Sequence, residues 1–323
     1  MKYLVTGGAG FIGSNVVNYL IENGDQVRVL DNFSTGNRTN LVGVEKDVEI
    51  LEGDIRDLDT VLNSAKGMDY VLHLAALASV PLSIKDPITS HEVNVIGTLN
   101  VLEASRRANV RKVVSSSSSS VYGATFRLPI DEDTEAAPLS PYAVGKLTGE
   151  YYVRMYWELY KLPTVSLRSF NVYGPNQSPE SDYAAVIPKF VHALLNDKRP
   201  LVYGDGEQTR DFIYVADAVK ANILAATNDK IIGTEYNVAS GQRHSLNKLL
   251  SILKEIIGSD IDAEYTRSRL GDIHHSCADI NKLKARGFEP AVKFKDGLNR
   301  TVDFIESRYP SSKLVFNLNR EMP

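Results

Sequence analysis

The sequence has little that would support a disulfide framework, a sulfur-based metal site or a membrane span. Cys277 is its only cysteine, so neither an internal disulfide nor a cysteine-cluster metal site can form. No apolar run approaches the ~18 residues that a membrane-spanning helix requires. The net charge is only −4 and no basic block occurs, which argues against a nucleic-acid-binding surface. A strand pattern starts at once, without a signal-peptide pattern, so we expect a cytoplasmic protein with no resident metal.

What the chain does have is a glycine-rich turn directly after its first apolar strand. Gly7, Gly10 and Gly13 recur every three residues, and Gly8 gives an alternative GxGxxG spacing. Such glycines let backbone N–H groups at a helix N-terminus approach a pyrophosphate. Asp31 ends the second predicted strand, where a carboxylate accepts hydrogen bonds from a ribose and repels a 2′-phosphate. The sequence therefore predicts a dinucleotide site that favours NAD over NADP.

Strand and helix patterns alternate through the first half of the chain. The sequence predicts strands at 2–6, 26–30, 48–51, 70–74 and 113–114 and helices at 14–22, 56–65 and 89–108. This alternation predicts an α/β fold, namely a Rossmann-like doubly wound parallel sheet. Beyond Ser169 the elements shorten, which indicates a smaller α+β lobe at the ligand-binding edge of the sheet. We expect an NAD-binding domain at 1–171 plus 215–233, a substrate-binding lobe at 172–214 plus 234–309, and a tail of unclear structure at 310–323.

Six consecutive serines, Ser115 to Ser120, follow the strand predicted at 113–114. A polyserine tract is often a disordered linker. This one is short and lies between a strand and an aromatic turn, Val121-Tyr122-Gly123. Hydroxyl groups at the carboxyl end of a parallel strand are well placed to meet a ligand, so we interpret the run as part of a site.

Tyr142 and Lys146 lie at i and i+4 near the start of a predicted helix, with Ser140 as N-cap and Pro141 at the first helical position. This spacing puts the phenol and the ammonium on one helix face. An ammonium in a partly dry site can lower the pKa of a tyrosine from its usual ~10, which makes Tyr142 a candidate base. A surface helix that merely carries both residues is the alternative reading of so short a motif.

In their joint order, these motifs resemble the extended short-chain dehydrogenase/reductase family, and within it the UDP-hexose 4-epimerases that act on UDP-glucose or UDP-N-acetylglucosamine. The resemblance covers approximately residues 1 to 308. Besides the glycine turn, the serine run and the Tyr142–Lys146 pair, it rests on Asp31-Asn32, Gly53-Asp54-Ile55, His73-Leu74-Ala75-Ala76, Asn94-Val95-Ile96-Gly97-Thr98, Arg168-Ser169-Phe170-Asn171, residues 206–214 and Gly271-Asp272. Each motif is short, but their order along one chain is specific.

The resemblance implies a role for each matching residue. Ser118 would bond the sugar O4 and relay its proton, Tyr142 would be the base, and Lys146 would grip the nicotinamide ribose and lower the pKa of Tyr142. NAD would be a tightly held, transient hydride acceptor in contact with Gly7, Gly10, Phe11, Ile12, Gly13, Asp31, Asn32, Phe33, Ser34, Thr35, Gly36, Asp54, Ile55, Leu74, Ala75, Ala76, Ala78, Asn94, Ser116, Tyr142, Lys146 and Phe170. The UDP-sugar would contact Ser79, Ser118, Ser119, Ser120, Tyr142, Asn171, Ala185, Val186, Tyr203, Arg210, Arg269, Asp272 and Ser276.

The implied reaction interconverts UDP-GlcNAc and UDP-GalNAc, and also UDP-Glc and UDP-Gal, through a 4-keto intermediate. Ser276 matches a gatekeeper position near the sugar C2 substituent, where a small residue admits an N-acetyl group. The segments 78–81 and 183–188 also resemble those of epimerases that use N-acetylhexosamines.

Three other functions compete with this one. Sugar-nucleotide 4,6-dehydratases resemble the chain, but they carry an Asp-Glu pair where this sequence has Ser119 and Ser120. A UDP-glucuronate 4-epimerase, or another sugar-nucleotide-modifying enzyme of the family, stays open, although an arginine often found in the former is absent from 78–83. A non-catalytic NAD-binding regulator is the remote alternative, because that class commonly loses the tyrosine or the lysine.

The resemblance also implies a homodimer through the helices at 89–108 and 142–160. The apolar side chains available to such an interface could equally belong to the core; they are Val95, Leu99, Leu102, Val153 and Trp157. Two positions depart from the family pattern. Ser169 replaces a common aromatic residue beside the nicotinamide, and Ser115 to Ser117 replace apolar or aromatic residues before the catalytic serine.

Overall fold

The computed structural model describes residues 1–125, 127–180, 184–268 and 274–310. Its strands are β1 (Lys2–Thr6), β2 (Gln26–Asp31), β3 (Val48–Glu52), β4 (Tyr70–His73), β5 (Lys112–Ser118), β6 (Thr164–Ser169), β7 (Val172–Tyr173), β8 (Leu201–Tyr203), β9 (Thr209–Asp211), β10 (Ile213–Tyr214), β11 (Glu235–Val238), β12 (Arg243–Ser245) and β13 (Glu264–Thr266). Seven of them form one sheet, and the other six form three two-stranded pairs.

The helices are α1 (Phe11–Glu22), α2 (Leu58–Ala65), α3 (Val80–Lys85), α4 (Pro87–His91), α5 (Thr98–Arg107), α6 (Pro141–Tyr160), α7 (Val186–Leu195), α8 (Val215–Thr227), α9 (Leu246–Ile257), α10 (Asn281–Lys284) and α11 (Phe294–Arg308). A π-helical segment, Glu92–Gly97, joins α4 to α5. Short 3₁₀ turns lie at Arg38–Leu41 and Ser119–Tyr122. No helix among the described residues is long and apolar enough to cross a membrane.

Seven parallel strands form the central sheet, in the order β3-β2-β1-β4-β5-β6-β11. The order reverses beside β1, because β2 lies on one side of it and β4 on the other. In a doubly wound sheet, ligands bind in the crevice outside the carboxyl ends of the strands at such a reversal. The predicted α/β fold is confirmed. The residues predicted to bind the cofactor and those predicted to bind the substrate are both expected at this edge.

Alternate residues of β1 show why the sheet is covered on both faces. Tyr3 and Val5 pack into the cluster that holds the inner sides of α1 and α8. Leu4 points to the other face, where it joins apolar side chains of α2, α5 and α6. Period-two alternation with both faces apolar is what a sheet between two helix layers requires.

The ranges that we assigned to a substrate-binding lobe contain three small strand pairs and four helices, α7, α9, α10 and α11, in the described part of the chain. β7 pairs with β10 and β8 with β13, both in parallel, while β9 and β12 are antiparallel. Helix α9 is capped by Ser245, and α7 begins at Val186 with Pro188 in its first turn. Tyr183 lies outside the described residues.

Several boundaries need correction. β11 falls in the range 234–309 that was assigned to the lobe, but it pairs with β6 as the seventh strand of the main sheet. The helix expected from 56 begins at Leu58, because the Asp57 carboxylate accepts a hydrogen bond from the backbone N–H of Asp59 and caps it. β5 is longer than predicted and takes in the serines as far as Ser118, so the linker reading is wrong. The rest of the domain division stays a prediction.

The proposed interface residues divide between the interior and the surface. Val95, Leu102 and Val153 are buried in the core. Leu99 and Trp157 are only partly buried. Three of the five residues that we considered for a dimer contact are therefore core residues, and Leu99 and Trp157 keep part of their surface exposed.

Candidate active site

The glycine turn between β1 and α1 is shaped for a close ligand. Gly7 adopts a φ of +69°, which L side chains rarely adopt. A Cβ atom on Gly13 would lie 2.0 Å from the carbonyl oxygen of Gly7, so the turn closes tightly on the helix. Gly10 is the N-cap of α1, and no described side chain caps the helix there. The first N–H groups of α1 can therefore serve a pyrophosphate.

Asp31 sits at the carboxyl end of β2, next to this turn. Its carboxylate accepts hydrogen bonds from the backbone N–H of Ala9 (2.9 Å) and of Phe33 (2.8 Å). A Cβ atom on Gly36 would lie 3.0 Å from both carboxylate oxygens, so only a glycine leaves that approach open. The carboxylate is thus held rigidly beside the pyrophosphate turn, which fits a ribose of a dinucleotide.

A second carboxylate lies across the crevice from Asp31. Asp54 accepts hydrogen bonds from the Arg56 guanidinium (2.9 and 3.0 Å) and from the amide of Asn32 (2.9 Å). The hydrogen bond with Arg56 is the main reason why the pKa of Asp54 falls to about 2. Asp54 is therefore an anion at neutral pH, and it stays a predicted contact of NAD.

The loop after β4 is braced by Asn94. The side-chain amide oxygen of Asn94 accepts a hydrogen bond from the backbone N–H of Leu77 (3.0 Å), and its nitrogen donates to the Leu77 carbonyl (3.3 Å). Ala75 donates its N–H to the Thr6 hydroxyl (3.3 Å). The segment of predicted contact residues, Leu74 to Ala78, is thus held by hydrogen bonds at the carboxyl edge of the sheet. Asn94 makes two of these bonds, both to Leu77.

Two predicted cofactor contacts have little side-chain surface to offer. Phe170 is only 1% exposed and packs with Tyr122 in a separate core cluster. Ile55 is also buried, against Gly97. Phe170 therefore offers little side-chain surface to a cofactor, and its predicted contact stays a prediction. Its apolar ring belongs to the packing beneath the site.

Helix α6 presents Tyr142 and Lys146 to the end of β5. The Ser140 hydroxyl accepts a hydrogen bond from the N–H of Ala143 (3.2 Å), and Pro141 occupies the first turn, as predicted. Lys146 donates from Nζ to the backbone carbonyl of Ser116 (2.7 Å). Its Nζ lies 6.0 Å from the centre of the Tyr142 ring.

The protonation of these groups is governed first by burial. Burial raises the pKa of Tyr142, while a hydrogen bond with Ser118 lowers it. Burial lowers the pKa of Lys146 to about 8, and the negative charge of Glu150 opposes that change. In the polypeptide the Lys146 ammonium is turned toward the Ser116 carbonyl, and the lowering of the Tyr142 pKa by Lys146 stays a prediction. Ser118 is the protein group that favours the phenolate.

The end of the serine run is a 3₁₀ turn. Ser118 accepts a hydrogen bond on Oγ from the N–H of Ser120 (3.1 Å) and so caps the turn. The hydroxyl oxygen of Ser120 is buried and has no hydrogen-bond partner in the described part of the chain. Buried hydroxyl groups are normally paired, so Ser120 is a candidate for contact with a polar ligand. Ser119 and Ser120 bring hydroxyl groups, not acids, to this position.

A cavity of about 260 Å³ lies in the lobe, and it brings together four predicted substrate residues, Asn171, Val186, Tyr203 and Arg210. Ala185, another predicted residue, is the N-cap of α7 beside it. The sequence reading missed other lining residues, which are Ala184, Lys189, Phe190, Leu201, Gln208 and Leu246. Spacing could have found Lys189 and Phe190, because they lie three and four residues after Val186 on one face of α7.

One pair of residues connects this cavity to the catalytic group. Ser169 at the end of β6 is paired in register with Ser118 at the end of β5. Asn171 follows two residues later and lines the cavity. The amide of Asn171 also donates to the carbonyl of Asp211 (3.0 Å), which fixes it to β9. A ligand seated in the cavity therefore begins close to the carboxyl edge that carries Tyr142.

The remaining predicted substrate residues do not line this cavity or lie outside the described residues. Ser276 is buried, and its N–H donates to the carbonyl of Thr209 (3.1 Å) beside Arg210. The Ser79 hydroxyl caps α3 by accepting from the N–H of Leu82 (3.2 Å). Arg269 and Asp272 lie outside the described residues. In the described ranges, no group of three or more histidine, cysteine, aspartate or glutamate side chains is arranged to hold a metal ion.

A glycine turn at the head of a doubly wound sheet, with a tyrosine and a lysine at its carboxyl edge, is the arrangement of a dinucleotide-dependent enzyme. A model of the NAD dependent epimerase/dehydratase family matches residues 3–239, and the chain belongs to that family. NAD is therefore its cofactor, as the sequence predicted, and the turn and Asp31 fit that group.

The chain is similar to named epimerases over nearly its whole length. It is 39% identical to a UDP-glucose 4-epimerase from Mycolicibacterium smegmatis, over 95% of this chain and 99% of that protein. The UDP-N-acetylglucosamine 4-epimerase from Methanobrevibacter ruminantium, solved in complex with UDP-N-acetylmuramic acid, superposes with a TM-score of 0.92 and 44% identity, over 95% and 98% of the two chains. The Thermus thermophilus UDP-glucose 4-epimerase, solved with NAD, has a TM-score of 0.87 and 37% identity, over 95% and 99%. The resemblance stated from the sequence is confirmed.

Proposed function

We propose that this chain is an NAD-dependent 4-epimerase of UDP-sugars that interconverts UDP-GlcNAc and UDP-GalNAc, and also UDP-Glc and UDP-Gal. The observation that carries the proposal is the meeting of helix α6 with the carboxyl end of β5, where Lys146 donates to the carbonyl of Ser116 (2.7 Å) and where burial raises, and Ser118 lowers, the pKa of Tyr142. A hydroxyl pair there can move one proton to and from a substrate oxygen. The two following positions, Ser119 and Ser120, offer no carboxyl group for a dehydration.

The protein's part of the reaction is proton transfer and orientation. NAD, when bound, supplies a reversible hydride acceptor for C4 of the sugar. Tyr142, as phenolate, takes the proton of the C4 hydroxyl, with Ser118 as the relay. The resulting 4-keto sugar then presents its opposite face to the same groups. Tyr142 returns the proton when C4 is reduced from that face, which inverts C4 without net oxidation.

The cavity in the lobe is suited to the UDP part of the substrate. Arg210 and Lys189 bring two cations to its lining, and the N-terminus of α7 opens beside it at Val186. Guanidinium groups and helix N-termini both favour a diphosphate. Asn171 links this cavity to β6, so the sugar would extend from the diphosphate toward Tyr142.

We assign the N-acetylhexosamine preference to Ser276. Its side chain is small, and its backbone is tied to Thr209, next to the diphosphate ligand Arg210. A small residue leaves room for an N-acetyl group at C2. The name of the Methanobrevibacter ruminantium relative supports this assignment, because that protein is a UDP-N-acetylglucosamine 4-epimerase.

The purified protein should be incubated separately with UDP-GlcNAc, UDP-Glc and UDP-glucuronate, and the products identified by proton NMR. We expect UDP-GalNAc from the first and a smaller rate with the second. Turnover of UDP-glucuronate alone would support the glucuronate epimerase instead. A 4-keto-6-deoxy product would reassign the chain to the dehydratases, and inertness toward all three would favour a non-catalytic NAD-binding protein.

We further propose a homodimer formed by the helices around α6. Ile88, Ile96, Val144 and Tyr151 are exposed apolar side chains on α4, on the π-helical segment and on α6. These elements pack against one another, so the exposed residues share one region of the surface. Val144→Glu should convert the dimer to a monomer in light-scattering measurements. Val42→Glu, at an exposed position on the far side of the sheet, should leave the mass unchanged.

A further inference from the structure

The unusual serines before Ser118 have a partner that the sequence did not suggest. Ser117 is 5% exposed, and its hydroxyl donates a hydrogen bond to Glu150 Oε1 at 2.5 Å. Glu150 lies on α6, one turn beyond Lys146. The hydroxyl therefore connects the end of β5 directly to the helix that carries the catalytic tyrosine and lysine.

Glu150 is also bound by a buried arginine from the neighbouring strand. Arg168 on β6 donates from Nε to Glu150 Oε1 (2.9 Å) and from Nη2 to Oε2 (2.7 Å). The same guanidinium donates from Nη1 to the Tyr122 hydroxyl (3.0 Å). A buried carboxylate that accepts three hydrogen bonds, two of them in a forked ion pair, is well compensated for the loss of water. The cluster of Ser117, Glu150 and Arg168 is thus a rigid, closed unit.

The cluster lies directly beneath the catalytic group. Ser117 is flanked by Ser116, whose carbonyl accepts from Lys146, and by Ser118, which bonds to Tyr142. On α6, Tyr142, Lys146 and Glu150 follow at i, i+4 and i+8, so their side chains share one face. A shift of β5 against α6 would move both catalytic contacts at once.

We propose that Ser117 and Glu150 are positioning residues for Lys146: the Ser117–Glu150–Arg168 cluster locks β5 against α6 and keeps a negative charge one helical turn from the lysine ammonium. The role assigned to Lys146 in holding the nicotinamide ribose rests on the proposed function. The need for a negative charge beside this lysine follows from where the lysine is buried.

The surroundings of Lys146 explain that need. The titratable groups around it are Tyr142 and Glu150 on α6, His73 on β4 and Arg168 on β6. His73 is neutral, because burial and the charge of Lys146 lower its pKa to about 3. Arg168 is paired with Glu150, and burial disfavours the ammonium of Lys146. Glu150 is the only carboxylic acid among these groups and raises the pKa of Lys146, so its loss should release the lysine proton at lower pH.

The test uses the holoenzyme and four variants, each first checked for folding by circular dichroism. Ser117→Ala removes the hydroxyl, Ser117→Thr keeps it, and Glu150→Gln removes the charge with the shape retained. Ser115→Ala is the matched control, because Ser115 lies two residues earlier on the same strand and takes no part in the cluster. Two readouts are taken: kcat and KM with UDP-GlcNAc, and the NAD retained per chain after dialysis between pH 6 and 9.

For Ser117→Ala we expect kcat to fall about tenfold with KM changed less than twofold, as for a lost contact to a catalytic group. Ser117→Thr should restore most of that loss, and Ser115→Ala should match the parent protein. For Glu150→Gln we expect the pH at which half of the NAD is lost to fall by about one pH unit. A merely structural role would lower the melting temperature and leave this pH unchanged.

Unchanged kcat in folded Ser117→Ala, or an unchanged pH midpoint in folded Glu150→Gln, would overturn the proposal. If Glu150→Gln does not fold, Ser117→Ala and Ser117→Thr decide the matter by themselves. If the parent protein turns over no UDP-sugar, the proposed function fails. The NAD-retention readout then still tests the positioning role.

Discussion

The ammonium of Lys146 lies 2.7 Å from the backbone carbonyl of Ser116, so the lysine of α6 is bound to strand β5, which ends at Ser118. This bond fixes the direction in which the lysine points. It leaves Ser118 as the protein group that hydrogen-bonds to the Tyr142 hydroxyl. Predictions about chemistry, cofactor choice, substrate size and acid stability follow from this region.

Replacement of Tyr142 by phenylalanine should abolish epimerisation while NAD stays bound. The variant keeps the ring that packs in the site and loses only the oxygen that exchanges a proton with the substrate. We expect kcat to fall by about 10³-fold, measured by NMR with UDP-GlcNAc. Tyr160→Phe, an exposed position near the end of the same helix, is the control and should retain full activity. Comparable rates in the two variants would remove Tyr142 from the reaction.

Substitution of Asp31 should weaken the binding of NAD and relax the rejection of NADP. The carboxylate is held by two backbone N–H groups at the edge of the glycine turn, so its charge is fixed in place. Asp31→Asn keeps the shape and removes the charge. We expect NAD affinity to fall by about tenfold and the preference over NADP to shrink, because repulsion of a 2′-phosphate is lost. Titration calorimetry with both dinucleotides checks this, and an unchanged NAD/NADP ratio would contradict it.

A large residue at Ser276 should exclude N-acetylated sugars. Ser276→Tyr fills the space beside Thr209 and Arg210 that the proposed function assigns to the C2 substituent. We expect kcat/KM for UDP-GlcNAc to fall at least about tenfold relative to UDP-Glc, since steric rejection in a pocket acts on the larger substrate. Ser276→Ala should leave the ratio near that of the parent. Equal losses for both sugars in Ser276→Tyr would indicate general disruption and not size selection.

The neutral state of His73 should make the protein less stable in acid. Nδ1 of His73 hydrogen-bonds with the Thr6 hydroxyl (2.8 Å) and Nε2 with the Thr98 hydroxyl (3.0 Å). Burial lowers its pKa from 6.5 to about 3, so the unfolded chain binds a proton at a pH where the folded chain does not. The contribution to stability is complete above pH 6.5 and is lost as the pH falls toward 3, by about 1.4 kcal/mol per pH unit.

Urea unfolding at pH 6 and at pH 5 measures this slope. His73→Asn lacks the titrating ring, so its unfolding free energy should fall less steeply between the two pH values, by the equivalent of one proton. The exposed His91 provides the control, and His91→Asn should keep the parent slope. Identical slopes in all three proteins would show that His73 is not buried in its neutral form.

The sequence was sufficient for the doubly wound parallel sheet at the cofactor end and for the start of helix α6. There the signals are local: Gly7 to Gly13 close one turn, and Ser140 and Pro141 start one helix. β11 was misassigned because a four-residue strand far along the chain carries no sign of which sheet it joins. The packing of Phe170 depends on Tyr122, 48 positions earlier, and no local pattern reports such a contact.

The pKa values of the site residues were the property that the sequence predicted least well. The Tyr–Lys spacing correctly placed both groups on one face of α6. Whether the phenol is acidified depends on how deeply it is buried and on where the ammonium points. Both depend on how β5 packs against α6. The serines of β5 depart from the family pattern, and one of them, Ser117, bonds to Glu150 on α6. The i, i+4 spacing predicts which residues are neighbours on a helix. The pKa of Tyr142 depends on burial and on contacts with other elements, which the spacing does not report.

Ser118 on β5 is paired in register with Ser169 on β6. This pairing sets the distance between the proposed proton-transfer group and the cavity that follows β6. Only Phe170 separates Ser169 from Asn171, which lines the cavity that we propose for the diphosphate. One extra residue at this point would lengthen the spacer by about 3.3 Å, enough to carry a sugar carbon out of reach of a fixed phenol. Relatives that act on longer or shorter substrates should therefore differ in the residues that line the far side of the cavity. The number of residues between Ser169 and Asn171 should be the same in all of them.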